Sequence, residues 1–198
     1  MNGDGYADVL VGAPYFDSTC TDSGRVYLFQ GTAAGPSVSP LWKFDGDQCY
    51  ANLGFSVASA GDVNGDGYGD AVVGVPGYDS NCDVGGRALV FQGSAAGLGT
   101  SAAWTGGGYQ CNEQFGYSVS TAGDINGDGR TDLVQTYGWW EQPANPGSTP
   151  WTYHPQAFGR WGPQQGAAGG VRQHVYDVNG DGLNDVVTSL EAHGFGLA

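Results

Sequence analysis

Asp62-Val63-Asn64-Gly65-Asp66-Gly67-Tyr68-Gly69-Asp70 is one of four copies of a short acidic loop. The others are Asn2-Gly3-Asp4-Gly5-Tyr6-Ala7-Asp8, Asp124-Ile125-Asn126-Gly127-Asp128-Gly129-Arg130-Thr131-Asp132 and Asp177-Val178-Asn179-Gly180-Asp181-Gly182-Leu183-Asn184-Asp185. The pattern D-x-N-G-D-G-x-x-D puts hard oxygen donors at its first, third, fifth and ninth positions. The seventh residue can add a backbone carbonyl, and glycine at the sixth permits the sharp turn that wraps the donors around one centre. Such a set suits Ca²⁺, which takes six to eight oxygens in tolerant geometry, better than Mg²⁺, which keeps more water. One copy is also compatible with an ordinary Asx-rich turn. Four copies, each with Asp at the same offset, read as calcium loops.

The loops account for most of the charge. The chain has 198 residues, a formal net charge of −14, six Lys plus Arg and 37 glycines. Asp4, Asp8, Asp62, Asp66, Asp70, Asp124, Asp128, Asp132, Asp177, Asp181 and Asp185 make up eleven of its twenty acidic residues. About four bound Ca²⁺ would bring −14 to about −6, so the acidity is mainly a metal-binding feature. Without metal, each carboxylate cluster repels itself, which predicts folding coupled to ion binding. So acidic a surface lacks the basic stripe a nucleic-acid partner requires and disfavours an anionic membrane. No run approaches the roughly 18–20 apolar residues of a membrane span, so membrane insertion is not expected. Met1 leads straight into a loop, so no signal peptide is expected within this sequence.

A 62-residue period extends beyond the loops. Phe16-Asp17-Ser18-Thr19-Cys20 recurs as Tyr78-Asp79-Ser80-Asn81-Cys82, and Gly24-Arg25-Val26-Tyr27-Leu28-Phe29-Gln30-Gly31 as Gly86-Arg87-Ala88-Leu89-Val90-Phe91-Gln92-Gly93. Trp42 maps to Trp104 and Ser56-Val57 to Ser118-Val119. Repeats at this spacing set the architecture. In the complete repeat, short β-rich runs at residues 54–60, 71–75, 87–92 and 102–105 are separated by Gly, Asp and Pro. Four antiparallel strands in one such unit make a propeller blade. A β-sandwich with loop calcium is the alternative, and the strict repeat counts against it.

The expected fold is therefore all-β: tandem four-stranded antiparallel β-propeller-type blades with calcium loops, open, about three blades plus partial ends. Residues 1–53 form a first blade without its first strand, 54–114 a second blade, 115–169 a divergent third, and 170–198 a partial fourth unit. In the third the cysteines vanish, and the next loop follows after 53 residues instead of 62. There Trp139, Trp140, Trp151, Tyr153, His154 and Trp161 lie among prolines, and a less regular blade is expected.

Cys20 to Cys82 and Cys49 to Cys111 both span 62 residues. Two equivalent disulfides, Cys20–Cys49 and Cys82–Cys111, are the economical pairing; free or differently paired thiols are the alternative. Disulfides with calcium loops imply a secreted, extracellular or cell-surface setting, and hence an export signal in the native chain.

At these residues the chain resembles the FG-GAP repeat family, the blades of integrin α-subunit propellers and of many bacterial surface proteins. Phe115-Gly116 matches the Phe-Gly of that name, while Gly12-Ala13-Pro14 and Gly74-Val75-Pro76 match its Gly-Ala-Pro. Gly138-Trp139-Trp140-Glu141 and residues 177–197 are more similar to the related VCBS-type repeats of bacterial secreted proteins. The third and fourth copies lack Gly-Ala-Pro, and a complete propeller of the family has about seven blades. The resemblance implies a structural Ca²⁺ clamping the connection between the first two strands of each blade. Its ligands would be Asn2, Asp4 and Asp8; Asp62, Asn64, Asp66 and Asp70; Asp124, Asn126, Asp128 and Asp132; and Asp177, Asn179, Asp181 and Asp185. Tyr6, Tyr68, Arg130 and Leu183 would contribute backbone carbonyls. The first site, lacking its leading Asp, should be the weakest.

An enzyme is not expected. His154, His174 and His193 have no metal-motif spacing, no G-x-S-x-G or H-E-x-x-H occurs, and nothing in the sequence pairs Glu113, Glu141 and Glu191. The leading reading is a non-catalytic extracellular scaffold or adhesion module. Blade edges left unpaired favour self-association, head to tail into a fibre or surface layer. One alternative is a lectin-like propeller stacking sugars on Trp139, Trp140 and Trp151. Another is a non-catalytic fragment of a larger secreted propeller enzyme. The partner is then a second copy, a protein or a glycan.

Overall fold

The structure, a computed structural model, describes residues 1–79, 84–108, 111–112, 114–135, 138–144, 150–155, 173–176 and 185–188. Its described residues contain thirteen strands and no helix. Strands β1 (Val9–Ala13), β2 (Arg25–Phe29) and β3 (Trp42–Asp45) form one sheet. Strands β4 (Ser56–Gly61), β5 (Asp70–Val75), β6 (Arg87–Phe91) and β7 (Trp104–Gly107) form a second. The third holds β8 (Val119–Gly123), β9 (Asp132–Gln135), β10 (Gly138–Glu141) and β11 (Thr152–Pro155). A pair, β12 (Gln173–Tyr176) and β13 (Asp185–Thr188), completes the set. Every strand pairs antiparallel with its sequence neighbour. The protein is all-β, an open row of propeller-like blades.

The repeat is visible in backbone detail. β4 and β8 each end in a register shift, at Ser59/Gly61 and Thr121/Gly123, where Ala60 and Ala122 are fully buried. A bulge there bends the strand out of the ladder and aims it into the acidic loop. Left-handed backbone recurs at the 62-residue offset, at Asp22 and Val84, Tyr50 and Asn112, Asn52 and Gln114. The last strand of the second sheet lies two residues beyond the expected 102–105, because β6 offers ladder partners from Val90 to Arg87 whatever side chains stand opposite. The third sheet is a complete four-stranded blade, more regular than its composition predicts. Its β9 and β10 pair Gln135 with Gly138, whereas residues 76–86 join β5 to β6. The stretch cut out is the one that carries Cys20 and Cys82 in the earlier copies, which explains the missing cysteine and the shortened period.

Alternation along β5 feeds two cores. Ala71, Val73 and Val75 join Val26, Leu28, Leu89 and Phe91 against the first sheet, where Trp42 and Phe44 close edge-on upon Phe91 at 5.1 and 4.7 Å. Val72 joins Val90, Phe115, Val119 and Leu133 against the third sheet, where Trp104 meets Trp140 edge-on at 5.2 Å. The equivalent tryptophans Trp42 and Trp104 thus serve equivalent interfaces.

Backbone approaches backbone where the sheets meet. A Cβ on Gly12 would lie 2.0 Å from the carbonyl oxygen of Gly54, and one on Gly74 only 1.9 Å from that of Gly116. The Phe-Gly of one blade therefore docks on the Gly-Ala-Pro position of the blade before it, and Ser56 Oγ donates to the Gly116 carbonyl at 2.8 Å. Parallel bridges Gly24–Leu53 and Gly86–Phe115 lie beside these contacts. A methyl group at this place must push two sheets apart. Gly74→Ala is expected to lower unfolding free energy by about 3 kcal/mol in a urea titration.

Candidate metal centres

Each of the three described acidic loops, 2–8, 62–70 and 124–132, is wound on its own side chains. Asp62 Oδ1 accepts from the amides of Gly65 and Asp66 at 2.8 and 3.1 Å, and Oδ2 from that of Gly67 at 2.8 Å. Asn64 Oδ1 accepts from the Asp66 amide at 3.1 Å, and Asp66 Oδ1 from the Tyr68 amide at 2.9 Å. The third loop repeats the ladder: Asp124 takes the amides of Gly127, Asp128 and Gly129, Asn126 that of Asp128, and Asp128 that of Arg130. In the first, Asn2 Oδ1 holds the Asp4 amide and Asp4 Oδ1 the Tyr6 amide. There Gln30 Nε2 donates to Asp4 Oδ2 at 2.8 Å and, as the largest influence, holds that carboxyl below its ordinary pKa.

The ninth-position aspartate is used differently. Asp70 is fully buried; its Oδ2 accepts from the Val63 amide and its Oδ1 from the Gly93 amide, both at 2.7 Å. Asp132, also fully buried, takes the amides of Ile125 and Gln142 at 2.9 and 3.0 Å. Asp8 takes those of Asn2 and Gly31 at 3.1 and 2.9 Å. One carboxylate thus ties the start of each of these three loops to the chain just beyond the blade's third strand. Sequence reasoning read these residues as metal ligands and missed this clamp. The available signal was Gln30-Gly31 recurring as Gln92-Gly93 in register with the loops.

Burial pushes the Asp70 and Asp132 carboxyls above their ordinary pKa, opposed by the two amides each accepts, with repulsion from Asp66 and Asp62, or Asp128 and Asp124, adding to the rise. A carboxyl raised in the folded state binds its proton more tightly there than in the unfolded chain. Its contribution to stability is complete below the unfolded pKa and is lost as pH rises through the folded one. In its ionised form the buried carboxylate carries a desolvation cost that a cation beside it would offset.

In kind, the donors fit a hard divalent cation: carboxylates and an amide oxygen wound around a turn, with lone pairs to spare on each oxygen. Among the described residues, no three Asp, Glu, His or Cys side chains converge as a metal-holding group, as the ninth-position carboxylate is directed onto amides. Asp177, Asn179, Asp181 and Leu183 lie outside the described residues, and Asp185 is described only as the first residue of β13.

The remaining sequence candidates separate sharply. Cys20 and Cys49 form a disulfide with Cα atoms 5.3 Å apart. Cys111 is exposed and has no disulfide partner among the described residues, and Cys82 lies outside them. Trp140 and Trp151 are buried in the core between the second and third sheets, which removes them as sugar platforms. Only Trp139 lies on the other face of β10, stacked on His154 at 4.1 Å, with His154 Nε2 2.8 Å from Glu141 Oε2.

If the ninth position is a clamp in its own right, Asp70→Ala must destabilise the protein even in excess chelator. Leaving two buried amides unpaired costs about 1–3 kcal/mol each, so a loss of about 2–6 kcal/mol is expected in a chelator-side denaturant melt.

The FG-GAP repeat model matches residues 1–29, 53–91 and 115–140, the last through Gly138 to Trp140 of β10. The chain is 35% identical to integrin alpha-IIb of Mus musculus over 141 residues, 68% of this chain and 14% of the integrin. It is 31% identical to integrin alpha-4 of Xenopus laevis over 138 residues, and 33% to integrin alpha-7 of Rattus norvegicus over 137. Each of these covers 68% of this chain, with 13% and 12% of the respective relative. The chain thus spans about one-seventh of the length of the curated relatives it matches. The glycine contact that joins Phe-Gly to Gly-Ala-Pro, the loop between the first two strands and the sheet order all agree with this match: the chain belongs to the FG-GAP repeat family, with blades of the integrin α-propeller type.

Proposed function

We propose that this protein is a non-catalytic, calcium-stabilised extracellular scaffold or adhesion module. The observation that carries the reading is the repeated loop, in which side chains at positions one, three and five wind the backbone while the ninth anchors it to the blade. Ca²⁺ would be held by the first, third and fifth side chains and the seventh carbonyl, with the ninth carboxylate, already bonded to amides, adding a spare lone pair, about one ion per loop. When bound, it would supply charge neutralisation and a cross-link between strands. The Cys20–Cys49 disulfide and likeness to integrin α subunits support an extracellular setting. No helix among the described residues is long and apolar enough to cross a membrane.

Self-association through blade edges belongs to the same reading. Among the described residues, β1 has a strand neighbour on one side only. Its Val9 and Val11 are 40% and 41% exposed, whereas the equivalent Ala71 and Val73 are fully covered by the first sheet. An apolar face with an open edge is a docking surface for another blade, from a second copy or a neighbouring repeat. Light scattering in millimolar Ca²⁺ and again after chelation tests this. A discrete multimer that dissociates on chelation supports assembly, and a monomer in both conditions removes it.

Calcium itself is tested by Asp66→Ala and Asp128→Ala. A site filled to about 100 times its Kd contributes about 2.7 kcal/mol, so each variant should lose about that much in calcium and little in chelator. Equal losses in both conditions would assign these residues to packing instead.

A further inference from the structure

The second and third loops are joined by a side chain that belongs to neither. Gln142 follows β10 and is 5% exposed. Its Oε1 accepts from the Thr131 amide at 2.7 Å and its Nε2 donates to the Val63 carbonyl. Its own amide donates to Asp132 Oδ1 at 3.0 Å, and its carbonyl accepts from Arg130 Nε at 2.8 Å. Arg130 in turn pairs through Nη2 with Asp128 Oδ2. All four polar groups of Gln142 are therefore spent on loops: three hold 130–132 and the fourth reaches across to 63. The Val63 peptide is gripped from both sides, its N–H by Asp70 and its carbonyl by Gln142.

A continuous hydrogen-bonded path runs from Asp70 through Val63 and Gln142 to Thr131, Asp132 and Arg130. Gly93 donates its amide to Asp70 just as Gln142 does to Asp132, but it has no side chain to reach the first loop. Among the described residues, the polar bridge is thus particular to the second and third loops. We propose that Gln142 is a coupling residue: it ties loops 62–70 and 124–132 into one unit, so that ordering one raises the ion affinity of the other. Neither peptide can shift freely while a single buried amide side chain satisfies both, and removing it orphans a donor in one loop and an acceptor in the other. Coupling through a shared rigid link is reciprocal.

The inference rests on the calcium reading for its ion arm and stands without it for its backbone arm. The experiment uses the full chain and places Asp66→Ala in wild-type and Gln142→Met backgrounds. In chelator, amide exchange at Gly127 and Gly129 is followed by NMR. In a calcium titration, the same resonances report affinity at the third loop. In the wild-type background, Asp66→Ala should speed exchange and weaken calcium binding there about five-fold or more. In the Gln142→Met background both factors should fall to about one. Gln142→Glu keeps the volume and the acceptor for Thr131 but lacks the donor to Val63; it must uncouple the loops too and decides the matter should Gln142→Met fail to fold. Equal factors with and without Gln142 overturn the coupling while leaving the calcium reading intact. Absence of calcium binding in wild type overturns the calcium reading and the ion arm, and exchange in chelator then decides the backbone arm alone.

Discussion

A carboxylate buried against two backbone amides is the constraint on which each of the first three blades depends. Asp8, Asp70 and Asp132 occupy the same place in successive blades, and each spends one oxygen on the start of its acidic loop and the other on the chain beyond the third strand. The loop is long and glycine-rich, so it has much conformational entropy to lose and little apolar surface to bury. Hydrogen bonds to an ionised acceptor are the strong kind, and here they fix the loop against the sheet, joined in the second loop by Val63, which is buried in the core between the second and third sheets. The cost is a desolvated charge, visible in the raised carboxyl pKa of Asp70 and Asp132. A divalent cation in the loop would offset that cost, which gives a physical reason for the remaining carboxylates to gather beside the clamp.

Between blades the forces are of two kinds. Tryptophan and phenylalanine rings meet edge to face across both interfaces among the first three blades, as Trp42 does with Phe91 and Trp104 with Trp140. Nearer the loops, glycine replaces side-chain packing, and backbone meets backbone at Gly12–Gly54 and Gly74–Gly116. The family pattern of Phe-Gly and Gly-Ala-Pro follows from this single contact, since any Cβ at Gly12 or Gly74 would overlap a carbonyl oxygen. Between the second and third blades Gln142 adds a buried polar bridge, so the two loops share a wall.

The acidic loops, the blade period, the all-β class and the Cys20–Cys49 pairing were legible in residue types and spacing. Short-range chemistry made them so: an Asx ladder over nine residues and an alternating strand need no distant partner. The third blade was harder to read. Its tryptophans break the repeat and suggested an exposed ligand platform, yet Trp140 and Trp151 fill the core against Trp104. Composition alone does not say which face of β10 is covered; the neighbouring sheet does.

By itself, the sequence determined what each repeat is: an acidic loop between two strands, a glycine where the next blade must approach, and aromatic residues at a fixed offset. Those are properties of local backbone conformation and side-chain volume. Only the tertiary structure decided which carboxylates are spent on amides, because Gly31, Gly93 and Gln142 lie 23, 23 and 10 residues from the aspartates they bond. It also decided that Val9 and Val11 are exposed while Ala71 and Val73, their equivalents, are buried. The same pattern in the same strand meets a neighbouring blade in one case and not in the other among the described residues, and burial belongs to the neighbour rather than to the strand.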